Sequence, residues 1–194
     1  MQITIPIYNN IARCVDNANA TLNCYLDILH SEDRHLSCDL ADVIISLASC
    51  TELLVKVVLL EEHWTFIFDD INKATKKKFD DGDFTSVSFV RGVERLNNLC
   101  CIATPLDNCV KLYKLRNKIQ HLDFQEPLAN VLSILSRAIV EVLEFVRTYV
   151  TPYIDSGDCI SPLDLKESFG RLEKCGIALN KILSDTNQLK KFID

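Results

Sequence analysis

Residues 39–63, DLADVIISLASCTELLVKVVLLEEH, decide the fold of this chain. Wound as a helix, they present apolar side chains on nearly every side. The exception is one narrow polar stripe of Asp42, Ser46, Ser49, Glu52 and Lys56. At about 100° per residue, these five fall within roughly a third of the circumference. A helix that is apolar around the remainder has to be wrapped by others, which predicts that it stands at the centre of an all-α bundle. Lys56 interrupts the run LLVKVVLL and Glu61-Glu62 end it, so no segment is expected to reach the length of a membrane span.

The flanking sequence supplies the wrapping. In Ile7 to His30 the residues Ile11, Val15, Ala18, Leu22, Tyr25 and Leu29 alternate by four and three, which marks an amphipathic helix. The stretch after His63 reads as a connection with one short helix inside it. The Asp80-Asp81-Gly82-Asp83 run makes a turn there, and Thr85 or Ser86 is placed to cap the helix that follows over Val87 to Cys101. Lys76-Lys77-Lys78, close to Asp80, Asp81 and Asp83, reads as solvated surface, with a phosphate contact as the sharper alternative. Pro105 leads into a helix over Leu106 to Asp123, and Pro127 opens the next. In that helix Leu128, Leu132, Leu135, Ile139, Val142, Val146 and Tyr149 keep a strict four–three stripe, a core seam or a helix–helix dimer contact. Ser161-Pro162-Leu163-Asp164 then starts a last helix with a cap, a first-position proline and an early acid. The spacing predicts five to six helices: a bundle over residues 1–155, and a C-terminal helical extension over 156–194 packed on the same domain. Residues 151–161 are the best hinge.

Five glycines and five prolines in 194 residues leave too few turns for an all-β domain. Hydrophobic residues at 48% and charged residues at 25% fit one globular core rather than a disordered chain. A net charge of −6 excludes nucleic-acid binding by overall charge, so any such contact needs a local patch or one created by pairing of chains. The nine cysteines are odd in number, include no CxxC pair and sit mostly in apolar runs. They read as buried reduced thiols, and with no leader sequence visible this points to the cytoplasm. Cys100, Cys101, Cys109 and His121 fit no usual zinc spacing, and glycine-rich phosphate loops, G-x-S-x-G and H-E-x-x-H are absent. No metal or cofactor is expected.

One helix departs from this plain bundle. In KLYKLRNKIQHLD, Lys111 to Asp123, the residues Leu112, Leu115, Ile119 and Leu122 form the packed face. Lys111, Lys114 and Lys118 make a basic ridge on one flank, and Tyr113, Arg116, Asn117, Gln120 and His121 lie opposite the apolar side. A solvent-washed polar face accounts for such a pattern. So does a site in which histidine carries protons near neutral pH, arginine grips phosphate oxygens in a fork, and the lysines hold a nucleic-acid backbone. Arg116 and His121 are separated by about 7.5 Å of helical rise, so they bracket the face without touching.

Arg116-Asn117-Lys118-Ile119-Gln120-His121 resembles the R-N-x-x-x-H motif of HEPN domains, the all-α family named for higher eukaryotes and prokaryotes nucleotide-binding. The run SLASCTELLVKVVLLEEHWTFIF, with Glu52-Leu53-Leu54-Val55-Lys56 inside it, is similar to the second helix of that family with its ELLxK core. The resemblance covers roughly Asp39 to Tyr149. It implies a HEPN-like bundle and a metal-independent endoribonuclease that works as a homodimer, with two motifs facing each other across an interface cleft. It further implies that His121 moves protons as the RNA 2′-hydroxyl attacks the adjacent phosphate, that Arg116 stabilises charge on the phosphoryl oxygens, and that Asn117 orients substrate or histidine. The products are then a 2′,3′-cyclic phosphate and a 5′-hydroxyl. Lys111, Lys114, Lys118 and Gln120 are the expected substrate-binding residues, and Glu52 and Lys56 the supporting ones. Glu52 either buttresses Arg116 or pairs with Lys56 at i,i+4. Family members that act as toxins often carry a modified tyrosine two residues after the histidine. Asp123 stands there in this chain, so control would come from elsewhere, such as a regulatory protein or antitoxin, in stress response or phage defence. A catalytically silent HEPN-fold binding or regulatory protein is the alternative expectation.

Overall fold

The computed structural model describes residues 7–30, 40–121, 125–155 and 162–185. Among them every regular element is helical, and strand pairing is confined to one isolated antiparallel bridge, Phe68 with Ser86. The long helices are α1 (Ile7–His30), α2 (Leu40–Glu62), α4 (Phe89–Asn98), α5 (Asp107–His121), α6 (Leu128–Phe145) and α8 (Pro162–Ser184). Two short α-helices, α3 (Lys76–Asp81) and α7 (Thr151–Asp155), and two 3-10 turns, Trp64–Ile67 and Ile71–Lys73, lie among them. Six long helices therefore match the expected number, and α3 is the short helix expected in the connection after His63, while α7 was not anticipated.

Helix α2 is central, as its all-round apolarity requires. Val43, Ile44, Leu47, Leu54, Val58 and Leu59 are buried, and the helix packs against α1, α4 and α5. By length and composition α2 does reach what a membrane crossing needs, contrary to the reading of Lys56 and Glu61-Glu62 as sufficient interruptions. Its apolar window has a mean hydropathy of 2.2, and 61% of it is buried inside the protein, which is how the core helix of a bundle passes the same test. Helix α8 packs on α1 and α6 through Leu165, Leu172 and Leu179. Close contact there depends on Gly176, where a β-carbon would stand 2.8 Å from Ile139 Cγ2.

The link from α2 to α4 is held by polar anchors and stacked rings. Arg95 donates to the carbonyls of Phe66 (2.7 Å), Phe68 and Asp69 (2.7 Å), and Phe68 stacks on Phe84 with centroids 4.2 Å apart. Lys76 lies over the Phe79 ring at 4.5 Å and pairs with Asp80 at 3.0 Å. The expected capping role of Thr85 or Ser86 is not realised. Helix α4 begins at Phe89 with Ser88 at its cap position, while Ser86 Oγ accepts from Lys56 at 3.0 Å.

The stripe on α6 holds through Val146, and then the helix widens into a π turn over Val146–Val150 before α7. One extra residue in the turn shifts the phase, so Val150 is buried and Tyr149 only partly, with its hydroxyl donating to Ala103 O at 3.0 Å. Residues 151–155, read as part of a hinge, are helical; the rest of that hinge lies outside the described residues. The expectation of buried, reduced thiols holds for Cys50, Cys109 and Cys175; Cys14 and Cys100 are free but half-buried, and Cys101 is free but exposed. Cys24 is the exception: it is disulfide-bonded.

Candidate functional site

Helix α5 is set in place from its first turn. Glu141 of α6 accepts from the Asn108 and Cys109 backbone N–H groups (2.8 and 2.9 Å) and from Asn108 Nδ2 (2.6 Å). A carboxylate on the first free N–H groups of a helix satisfies donors that have no intrahelical partner and suits the positive end of the dipole. Cys109, Leu112 and Leu115 are buried, Ile119 is half-buried, and α2 and α6 receive this face. Leu122 and Asp123 lie outside the described residues.

The opposite face carries the motif. Gln120 and His121 are exposed, whereas Tyr113, Arg116 and Asn117 are half-buried. Arg116 donates from Nη1 to Asn117 Oδ1 at 3.2 Å, and its guanidinium carbon lies 5.5 Å from the centre of the Tyr113 ring. Tyr113 leans in turn on Phe89 of α4, with centroids 5.4 Å apart. Among the described residues no carboxylate pairs with Arg116, and its Nε is buried without a hydrogen-bond partner. Such a donor carries a desolvation cost unless an acceptor arrives.

Asn117 and Arg116 are thus brought together, while His121 stands at the last helical position, about 7.5 Å of rise beyond Arg116. The three lysines of the ridge are all exposed and differently engaged. Lys118 pairs with Glu126 at 2.6 Å, and Glu126 also accepts from Asn130 Nδ2 at 3.3 Å. The Lys118 ammonium holds the Glu126 carboxyl below the usual carboxylate range. Lys111 donates to Asn108 Oδ1 at 3.3 Å. Glu52 binds Lys56 at 2.7 Å on the same helix, which is the i,i+4 pairing, and Lys56 reaches on to Ser86.

Two residues acquire a role here that the sequence did not assign: Tyr113, which it placed on this face without one, and Glu126, outside α5. Tyr113 bears on Arg116 from three positions earlier, a spacing that is readable once the arginine is marked. Glu126 pairs with Lys118 from outside α5, and helical periodicity carries no signal for such a pair. Grooves of about 560 Å³ beside Asp70 and Phe84, and about 550 Å³ between α1 and α8, lie elsewhere; neither is lined by Arg116, Asn117 or His121. Among the described residues, no three His, Cys, Asp or Glu side chains gather as a metal ion would need.

No protein-family model, no curated protein and no solved structure matches this chain.

Proposed function

We propose that the chain is an endoribonuclease of HEPN type, with a HEPN-like bundle and a composite site formed by two copies. The observation that carries the reading is the half-buried Arg116, which among the described residues has no carboxylate partner and has an orphaned Nε. A fold leaves a cation in that condition at a cost, and an arriving phosphate oxygen offsets it. Contacts to Asn117 and to the Tyr113 ring restrain the guanidinium, which lowers the ordering cost of binding a phosphate oxygen.

The spacing on α5 calls for the second copy. Arg116 and His121 of one helix do not converge on one phosphate, but two α5 helices related by a two-fold axis bring an arginine from one and a histidine from the other to the same group. In the reaction, His121 accepts the proton of the RNA 2′-hydroxyl as that oxygen attacks phosphorus. Arg116 stabilises the charge that builds on the phosphoryl oxygens, and the 5′-oxygen leaves protonated, giving a 2′,3′-cyclic phosphate. Pairing also places two ridges of Lys111, Lys114 and Lys118 along one cleft, which gives an acidic chain a local basic surface. Gln120, exposed beside the ridge, contacts the strand. Action in the cytoplasm, in stress response or phage defence and under a regulatory partner, belongs to the same proposal.

A catalytically silent HEPN-fold regulator is the second reading, favoured by Lys118 being neutralised by Glu126. Metal-free RNA cleavage separates the two. Wild type and His121→Ala are incubated with RNA in EDTA, with sedimentation to establish the number of chains. Cleavage that leaves cyclic phosphate and disappears with His121 is the expected result. Folded dimers without cleavage would sink the nuclease reading and favour the regulator.

A further inference from the structure

Two thiols stand side by side where α4 ends. Cys101 is exposed, Cys100 is half-buried, and both are free although the same chain holds a disulfide at Cys24. The loop carrying them is fastened at several points. Cys100 N–H donates to Arg95 O (3.2 Å) and Ile102 N–H to Leu96 O (2.9 Å), while the Thr104 N–H and hydroxyl donate to Asn97 Oδ1 (3.1 and 3.0 Å). Cys101 has φ 55°, the left-handed conformation that a helix stop usually fills with glycine. The chain thus keeps a thiol where its backbone favours a residue without a side chain.

These sulfurs are poorly placed to bridge each other. Consecutive α-carbons stand about 3.8 Å apart across a trans peptide, short of the roughly 4.4–6.8 Å that a disulfide spans. One larger atom inserted between the sulfurs lengthens the bridge and removes the mismatch. Burial and the nearby Glu62 carboxylate push the Cys100 thiol up, which disfavours attack on peroxide by a thiolate. An electrophile that takes up both thiol protons meets no such obstacle. With no third His, Cys, Asp or Glu gathered at the pair among the described residues, four-coordinate zinc is not matched either. The match is a centre that needs two sulfurs and brings its own third substituent.

We propose that Cys100 and Cys101 form a dithiol site for trivalent arsenicals bearing one carbon substituent. Two arsenic–sulfur bonds form as the arsenic–oxygen bond of the reagent breaks, and the two thiol protons leave with that oxygen as water. Arsenic stays trivalent, so no oxidant or reductant takes part. The fastened loop holds both thiols in place before the reaction, which lowers the ordering cost of closing the ring.

Phenylarsine oxide, added to the full chain without reductant and followed by intact-mass measurement, tests the site. One phenylarsenic group per chain is expected, retained in excess mercaptoethanol and released by 2,3-dimercaptopropanol. The adduct should be absent from Cys100→Ser and from Cys101→Gly. The glycine variant suits the left-handed backbone and keeps the test decisive if the serine variant folds poorly. No adduct, an adduct that survives in both variants, or one stripped by the monothiol would each overturn the proposal.

Discussion

Replacing Arg116 by methionine separates a functional arginine from a structural one. Methionine keeps the length and apolar body of the side chain and deletes its charge and donors. The change forfeits the long hydrogen bond to Asn117 Oδ1 at 3.2 Å, about 1 kcal/mol, and the cation–π contact with Tyr113, about 0.5–1 kcal/mol. Against this it removes the buried, unpartnered Nε, whose desolvation costs about 1–3 kcal/mol. The sum places Arg116→Met between about 1 kcal/mol less and about 1.5 kcal/mol more stable than wild type, a Tm change of no more than about 6 °C for a chain of this size. Urea and thermal unfolding at one fixed protein concentration measure it, since pairing of chains shifts apparent stability. RNA cleavage by the same variant should fall by about 10²- to 10³-fold, the usual loss when a donor to a developing oxyanion is deleted. A stability loss above about 3 kcal/mol would refute the reasoning, because that is the cost of breaking a paired, buried charge.

Glu126→Gln frees Lys118 and should tighten RNA binding by up to about five-fold, with a steeper salt dependence, as read by anisotropy at two salt concentrations. Equal binding by both proteins would show that the pair does not compete with RNA. Glu141→Ala strips two backbone donors of α5 of their acceptor and should cost about 2 kcal/mol in urea unfolding, with faster hydrogen exchange at Asn108 and Cys109; unchanged exchange would contradict the capping role. Gly176→Ala drives a methyl to 2.8 Å from Ile139 Cγ2 and should cost about 1–3 kcal/mol, whereas Gly170→Ala, where nothing lies within 4 Å, should cost nothing measurable. Burial pushes the Cys50 and Cys109 thiols well above the ordinary value of 9.0, so the folded chain retains protons that the unfolded chain releases. Their stabilisation is complete below about pH 8 and should fall above about pH 9, by up to about 1.4 kcal/mol per pH unit per thiol. Urea midpoints measured across that range should lose part of the slope in Cys50→Ala.

Local periodicity made most of the helices legible. Helix α1 begins and ends where its four–three spacing does, and α2 is buried as its circumference of apolar residues demands. The misses share a physical origin in contacts between segments distant in sequence. Thr85 and Ser86 looked like caps, but Ser86 is engaged by Lys56 thirty residues away and the helix waits until Phe89. The π turn after Phe145 inserts a residue that no heptad count anticipates, and it moves burial from Tyr149 to Val150. For the candidate site, the sequence placed Arg116, Asn117 and His121 on one polar face, yet it gave no sign that Arg116 is half-buried over Tyr113 or that Tyr113 packs on Phe89 of α4.

That contrast bears on what kind of surface α5 offers. A polar face that is merely solvated leaves its long cations free to move, as Lys114 is placed to do. Arg116 is different: a tyrosine pressed from behind by a phenylalanine, and an asparagine beside it, hold the guanidinium against an apolar base without supplying a counter-charge. Holding a cation this way lowers its affinity for water and favours an anion, which under the proposed function is a phosphate oxygen of the RNA. Glu126 takes Lys118, and among the described residues no carboxylate pairs with Arg116. Under the proposed function, the polar face of α5 therefore has two levels of readiness: an outer lysine that a phosphate must win from Glu126, and an inner arginine that among the described residues has no competing carboxylate. The Arg116→Met and Glu126→Gln variants probe these two levels separately, one through catalysis and the other through affinity.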